Sequence, residues 1–184
     1  MDFKIRLVVP GDAAGILEIY SPIVLNTAAS FETSVPSVAS FEERISQYSA
    51  KSPWIVAEYN AQIIGYAYAT AHRSRDAYQW SQETTVYVHQ DFQKQGVALR
   101  LYQVLLSALT EMGFTKALAV ITIPNEPSIR FHEKLGFNHI GEMKAIGFKF
   151  NQWHTTSWWD LDLQETNYVP KKVKTIGSIR HLIC

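Results

Sequence analysis

The chain carries a single cysteine, Cys184, among 184 residues. One thiol allows neither a disulfide framework nor a thiolate metal site, and its place at the end is wrong for a prenylation box. An excess of one charge is also missing, because 17 Lys and Arg balance 17 Asp and Glu. The basic residues are scattered, which argues against a nucleic-acid or anionic-membrane footprint. Their one local cluster, Lys171-Lys172-Val173-Lys174, reads as a solvated end. No apolar run approaches the roughly 20 residues that span a bilayer. Asp2, Lys4 and Arg6 break the apolar run that a signal peptide would need. Internal repeats, low-complexity segments, a P-loop ending and Gly-x-Gly-x-x-Gly are all absent. A soluble, cytoplasmic protein is expected.

With 47% hydrophobic residues the chain can bury one substantial core, which fits a single domain over residues 1–165. Residues 166–184 read as a weakly ordered tail. Ile5–Val9 is expected as a strand. Asp12 is expected to cap a helix with Ile16, Ile19, Tyr20 and Ile23 on one face. A shorter helix is expected over Phe41–Tyr48. Trp54–Glu58 and Ile63–Ala71 make a hairpin turned at Asn60, and a strand follows over Gln82–Val88. The helix Gly96–Met112 is closed by Gly113. Thr115–Ile123 is the longest apolar run, as suits a central strand covered on both faces. A short helix over Asn125–Leu135 and strands over Asn138–Phe148 and Gln152–Leu163 complete an α/β domain with a mixed sheet.

One junction has unusual chemistry. The polar loop after His89 enters the helix through Gly96-Val97-Ala98, none of which can cap the first-turn amides with a side chain. Free N–H groups and about half a positive charge then face outward, which suits a diphosphate. Gly96 alone is equally compatible with an ordinary loop-to-helix junction. The preceding apolar strand favours a phosphate cradle.

The segment Gln93–Ala98, QKQGVA, resembles the Gln/Arg-x-x-Gly-x-Gly/Ala signature of the GCN5-related N-acetyltransferases (GNAT). Asn125–Phe137, NEPSIRFHEKLGF, resembles that family's closing motif. Phe31-Glu32, Arg75–Trp80 (RDAYQW), Val86-Tyr87-Val88, His132-Glu133, Gly147–Lys149 and Trp153 further resemble its phosphinothricin acetyltransferase group. That group acetylates phosphinothricin, methionine sulfoximine and related amino acids. Asp76 departs from it, since proline is common there. The resemblance runs from about Ile5 to Leu163. It implies a GNAT fold, a mixed and mostly antiparallel sheet splayed at the cofactor site and flanked by helices. It also implies acetyl-CoA as co-substrate, with no metal.

The resemblance gives roles to individual residues. Val86, Tyr87 and Val88 would offer backbone groups to the pantetheine arm. Gln93, Lys94, Gln95, Gly96, Val97 and Ala98 would hold the pyrophosphate. Asn125 and Ser128 would contact the cofactor or strengthen their helix start. By strand parity Glu83 shares a face with Thr85 and Tyr87, opposite Val86 and Val88, so it looks toward a cleft or helix-free surface. It is either a solvated strand carboxylate or, as the resemblance implies, the group that takes the ammonium proton. His132 stands where many relatives carry tyrosine. It would protonate the departing thiolate, share the base role, or simply be a hydrogen-bonded helix residue. For an amino-acid substrate, Arg75 would clamp the carboxylate while Phe31, Tyr78 and Trp80 form walls or pack under the strands. Lys149 would contact the far end of the substrate.

Trp158 and Trp159 are adjacent in a strand, so they point to opposite faces and cannot share one core. With Trp153 they support a homodimer near the C-terminal strands, as the resemblance also implies. Two other readings remain open: a non-catalytic acyl-CoA sensor, and an acetyltransferase for protein N-termini or polyamines.

Overall fold

Alternating apolar residues build a single sheet, and in the computed structural model, which describes residues 1–183, its strands are β1 (Lys4–Leu7), β2 (Trp54–Tyr59), β3 (Gln62–Ala71), β4 (Ser81–Val88), β5 (Lys116–Ile123), β6 (Asn138–Lys149) and β7 (Gln152–Asp162). Cys184 lies outside the described residues. The order across the sheet is β1-β2-β3-β4-β5-β7-β6, and only β4 and β5 run parallel. Helices α1 (Ala13–Asn26) and α2 (Val38–Ser49) cover one face, called here the front. Helices α3 (Val97–Met112) and α4 (Glu126–Lys134) cover the back. The expected mixed, mostly antiparallel α/β architecture is therefore the observed one.

Several local expectations need correction. Asp12 immediately precedes α1 but does not cap it. Its carboxylate accepts from Val9 N–H and, through both oxygens, from Arg6, whose Nε also donates to Glu58. Burial alone would raise the Asp12 pKa, but Arg6 and the Val9 amide outweigh it and hold the group below the usual carboxylate range. This knot draws the chain out of β1 after Leu7, short of the expected Val9. The second helix starts earlier than expected, because Ser37 accepts from Ser40 N–H and caps it. Strand β5 is not covered on both faces, since Val120 is 40% exposed on the front.

The largest correction concerns residues after Glu165, which are not a loose tail. A 3-10 helix, Ile176–Leu182, lies against α3, where Ile179 (0% exposed) and Ile183 join the back core. Lys174 donates its backbone N–H to Met112 and its ammonium to Glu111, and Trp80 Nε1 reaches the Lys171 carbonyl. The sequence hides this docking because four scattered apolar residues, Val173, Ile176, Ile179 and Ile183, carry it among lysines and small residues. Truncating Ile179 opens a void that nearby side chains refill only in part. Ile179→Ala should lower the unfolding free energy by about 2–5 kcal/mol, read from urea denaturation. A change below about 0.5 kcal/mol would mean that the segment is surface decoration.

Candidate active site

The site begins where two parallel strands separate. β4 and β5 pair only at Ser81–Lys116, Gln82–Ala117 and Glu83–Leu118. Beyond that point β3 still occupies one edge of β4, while the other edge has no strand neighbour. His89 N–H donates to Ile64 and Ser81 C=O accepts from His72, so the odd-numbered backbone groups of β4 face β3. Those of Thr84, Val86 and Val88 must then face the gap. Val86 and Val88 thus turn backbone groups toward the gap. Tyr87 does not: its backbone belongs to the β3 ladder, and its ring packs on the front against Tyr20 and Tyr66, both at 5.6 Å. The face shared by Glu83 and Tyr87 is therefore covered by α1 at its Tyr87 end, rather than being helix-free.

The cradle lies at the open end of the gap. Lys94 and Gly96 both adopt left-handed conformations, with φ of 59° and 83°. Gln95 spends its amide on the Asp91 carbonyl, and no side chain caps Gly96. The first helical bond runs from Arg100 N–H to the Gly96 carbonyl. The amides of Lys94, Gln95, Gly96, Val97, Ala98 and Leu99 have no hydrogen-bond partner among the described residues. A Cβ on Gly96 would meet nothing within 4 Å, so glycine is needed for its φ rather than for space. Alternating backbone handedness with free amides forms an anion-binding nest, open to solvent on the approach side. Gln93 through Ala98 therefore fit a diphosphate.

At the closed end, Thr84 Oγ1 bonds the Leu118 carbonyl at 2.8 Å and the Tyr102 hydroxyl at 2.6 Å. Tyr102 meets His132 Nε2 at 3.1 Å, and His132 Nδ1 lies 2.8 Å from the Ser128 carbonyl. A carbonyl can only accept, so Nδ1 carries the proton and Nε2 of the neutral ring is an acceptor; Thr84 gives its one proton to Leu118, and its oxygen competes with Nε2 for the single Tyr102 proton. Burial lowers the His132 pKa, against the pull of the Ser128 carbonyl, and raises that of Tyr102. His132 therefore touches the gap through Tyr102 and Thr84, two residues that sequence reading missed because a helix tyrosine and a strand threonine look like packing. Asn125 Oδ1 accepts from Ser128 N–H and so caps α4, leaving its Nδ2 without a partner among the described residues.

Glu83 stands on the front face, half-buried, with Oε1 2.7 Å from His72 Nδ1. His72 meets the ring edges of Tyr78 and Trp158, at 5.7 and 6.0 Å. Neither His72 nor Trp158 was anticipated as a site residue. Trp158 faces the front, as strand parity required, while Trp159 is buried against α4. Arg75 is exposed at the start of the turn that carries Tyr78, and its guanidinium has no ion-pair partner among the described residues. Phe31 overhangs from the α1–α2 loop, 6.2 Å from His154. It packs so closely on Gly147 that a Cβ there would collide with its ring.

Two expected substrate residues are placed elsewhere. Lys149 is 5% exposed, and its ammonium donates to the carbonyls of Val24, Thr27 and Ser30 at 2.7, 2.9 and 2.7 Å. All three protons are used to close the C-terminal end of α1, where carbonyls lack helical partners. Trp80 bonds the C-terminal segment on the back of the sheet, away from Glu83. Among the described residues, no cluster of three or more His, Cys, Asp or Glu side chains could hold a metal ion, and no helix is long and apolar enough to cross a membrane.

The forked sheet, its cradle and its closing helix define an acetyltransferase: residues 5–158 match the acetyltransferase (GNAT) domain, and the chain belongs to that family. It is 32% identical to a phosphinothricin N-acetyltransferase of Streptomyces viridochromogenes, over 96% of both chains. It is 33% identical to an L-methionine sulfoximine/L-methionine sulfone acetyltransferase of Salmonella typhimurium, over 88% of this chain and 95% of that one. A solved phosphinothricin acetyltransferase from Sinorhizobium meliloti, in complex with acetyl-CoA, superposes with a TM-score of 0.88. It is 35% identical and covers 93% of this chain and 94% of its own.

The lowered His132 pKa has a thermodynamic consequence. Between the ordinary imidazole value and the lowered one, the unfolded chain binds the extra proton, so stability rises with pH across that window. Denaturation midpoints should be level with respect to this group above about pH 6.5 and decline below it. His132→Gln should remove that part of the slope; an unchanged slope would show that His132 does not pay for its burial.

Proposed function

We infer that the protein transfers the acetyl group of acetyl-CoA to the α-amino group of a small amino acid of the phosphinothricin, methionine sulfoximine or methionine sulfone kind. The observation that carries this reading is the unpaired edge of β4, which runs from the free amides around Gly96 to Glu83. Bound along it, acetyl-CoA supplies an acyl group and a thiolate leaving group. The residues fitted to hold it are Val86 and Val88 by backbone, Gln93 through Ala98 by the nest, and Asn125 by its free Nδ2.

The chain's own groups divide the remaining work. Glu83 takes a proton from the acceptor's ammonium, leaving a neutral amine to attack. The backbone groups of Val86 and Val88 face the gap, where an N–H stabilises negative charge growing on a carbonyl oxygen. The Tyr102 hydroxyl, with His132 behind it, is the donor nearest the fork for a departing thiolate. Arg75 offers two parallel bonds to the acceptor's carboxylate, and Phe31 and Tyr78 flank the side chain. A carboxylate clamp disfavours polyamines, which have no carboxylate.

Thiol release should occur with acetyl-CoA and at least one of phosphinothricin, methionine sulfoximine, methionine sulfone or an ordinary amino acid. The methyl ester of the accepted substrate should react far more slowly than the acid. Glu83→Gln should lower kcat by about 10²–10⁴ while calorimetric binding of acetyl-CoA is retained. No release with any acceptor would favour the acyl-CoA sensor, and an ester as good as the acid would remove Arg75 as the clamp.

We further propose a homodimer through the β6–β7 hairpin. Ile140, Met143, Ile146, Phe148, Phe150 and Trp153 are all exposed there, Trp153 at 65%. An apolar patch on an edge hairpin is a liability unless it is covered. Sedimentation at about 10 μM should show a dimer, and Trp153→Asp should dissociate it, since a charge buried without a partner is strongly unfavourable. A wild-type monomer would refute this.

A further inference from the structure

The contact between His72 and Glu83 has no role in the reading above. His72 lies just past β3, and its backbone N–H donates to the Ser81 carbonyl, which holds it beside β4. Its side chain is 14% exposed, and Nδ1 lies 2.7 Å from Glu83 Oε1. Nε2 has no hydrogen-bond partner among the described residues. The groups facing the ring are few. β4 presents Glu83, the turn Asp76–Tyr78 presents the Tyr78 ring with the Arg73 guanidinium 6.0 Å beyond it, and β7 presents the neutral indole of Trp158. The ring is thus fixed edge-on by two aromatic side chains, with one nitrogen on the carboxylate and the other left for water.

We propose that His72 is a positioning and proton-exporting partner of Glu83, so that the pair, and not the carboxylate alone, is the base of the transfer. This rests on the function inferred above. With Glu83 ionised, the proton of the 2.7 Å contact sits on His72 Nδ1, so the ammonium proton that Glu83 takes is passed on through water to the free Nε2. The resulting imidazolium releases a proton to water, and exchange with solvent restores the starting tautomer. The carboxylate is regenerated and no other co-reactant is needed. A carboxylate alone would hold its proton until solvent reached it. An imidazole hands the proton on at neutral pH.

The test compares wild type with His72→Asn and His72→Phe. Asparagine keeps an N–H donor near the Nδ1 position but cannot carry a proton, whereas phenylalanine does neither. His72→Asn should lower kcat by about 10–100-fold while acetyl-CoA binding and Tm stay close to wild type. The acidic limb of the kcat/KM profile should move to lower pH in both variants. Raising the concentration of a small-molecule imidazole buffer should restore part of the lost rate in His72→Asn. A His72→Asn enzyme with wild-type rate and profile would overturn the proposal and reduce His72 to a tether. Loss of rate with an unmoved limb and no buffer dependence would also overturn it. A silent wild type instead overturns the inferred function. In that case the pair is still read from the His72 Nδ1 nitrogen resonance, which Glu83→Gln should displace if the contact exists in solution.

Discussion

The separation of β4 from β5 is the constraint on which the rest of the structure depends. A sheet interior normally pairs every backbone group, because a buried amide without a partner costs about as much as a lost hydrogen bond. Here the pairing stops after Glu83 and Leu118. Thr84 bonds the Leu118 carbonyl at the fork, and Tyr102 supports it from α3. The gap that results is an edge strand inside a sheet, open to a ligand that can complete it. The nest around Gly96 lies at its mouth because α3 starts one short loop after β4 ends.

Strand parity then distributes the chemistry. Glu83 and Thr84 are neighbours in sequence, yet one side chain faces the front with His72 and the other faces the back with Tyr102 and His132. The carboxylate proposed to accept a proton and the hydroxyl proposed to give one therefore sit on opposite sides of a single strand. The sheet itself stands between them. They are kept from neutralising each other by about the thickness of a backbone, and both still border the same gap.

Much of this was legible because it is local. Gly96 with no capping side chain, Asn125 before Pro127, and the alternation around Glu83 all depend on neighbours within a few residues, and the structure keeps each of them. Trp158 and Trp159 divided between the faces for the same reason. The misses involve distant partners. Asp12 looks like a helix cap until Arg6 and Glu58 claim it, and Lys149 looks like a free cation until a helix end 119–125 residues earlier takes all its protons. His72 sits in a charged, mostly exposed loop, where a histidine gives no periodic signal. Ile179 and Ile183 are too few to mark a packed segment, although they complete the back core.

The Lys149 ammonium also joins two regions of different character. It leaves β6 at the turn of the greasy hairpin and grips the end of α1, just before the loop that carries Phe31. The Phe31 loop, the proposed roof over the acceptor, is therefore hung from the hairpin, like an awning fixed to the wall it shades. Any contact that stiffens the hairpin steadies that loop as well, so how wide the proposed acceptor doorway stands is decided partly by residues that never meet the acceptor.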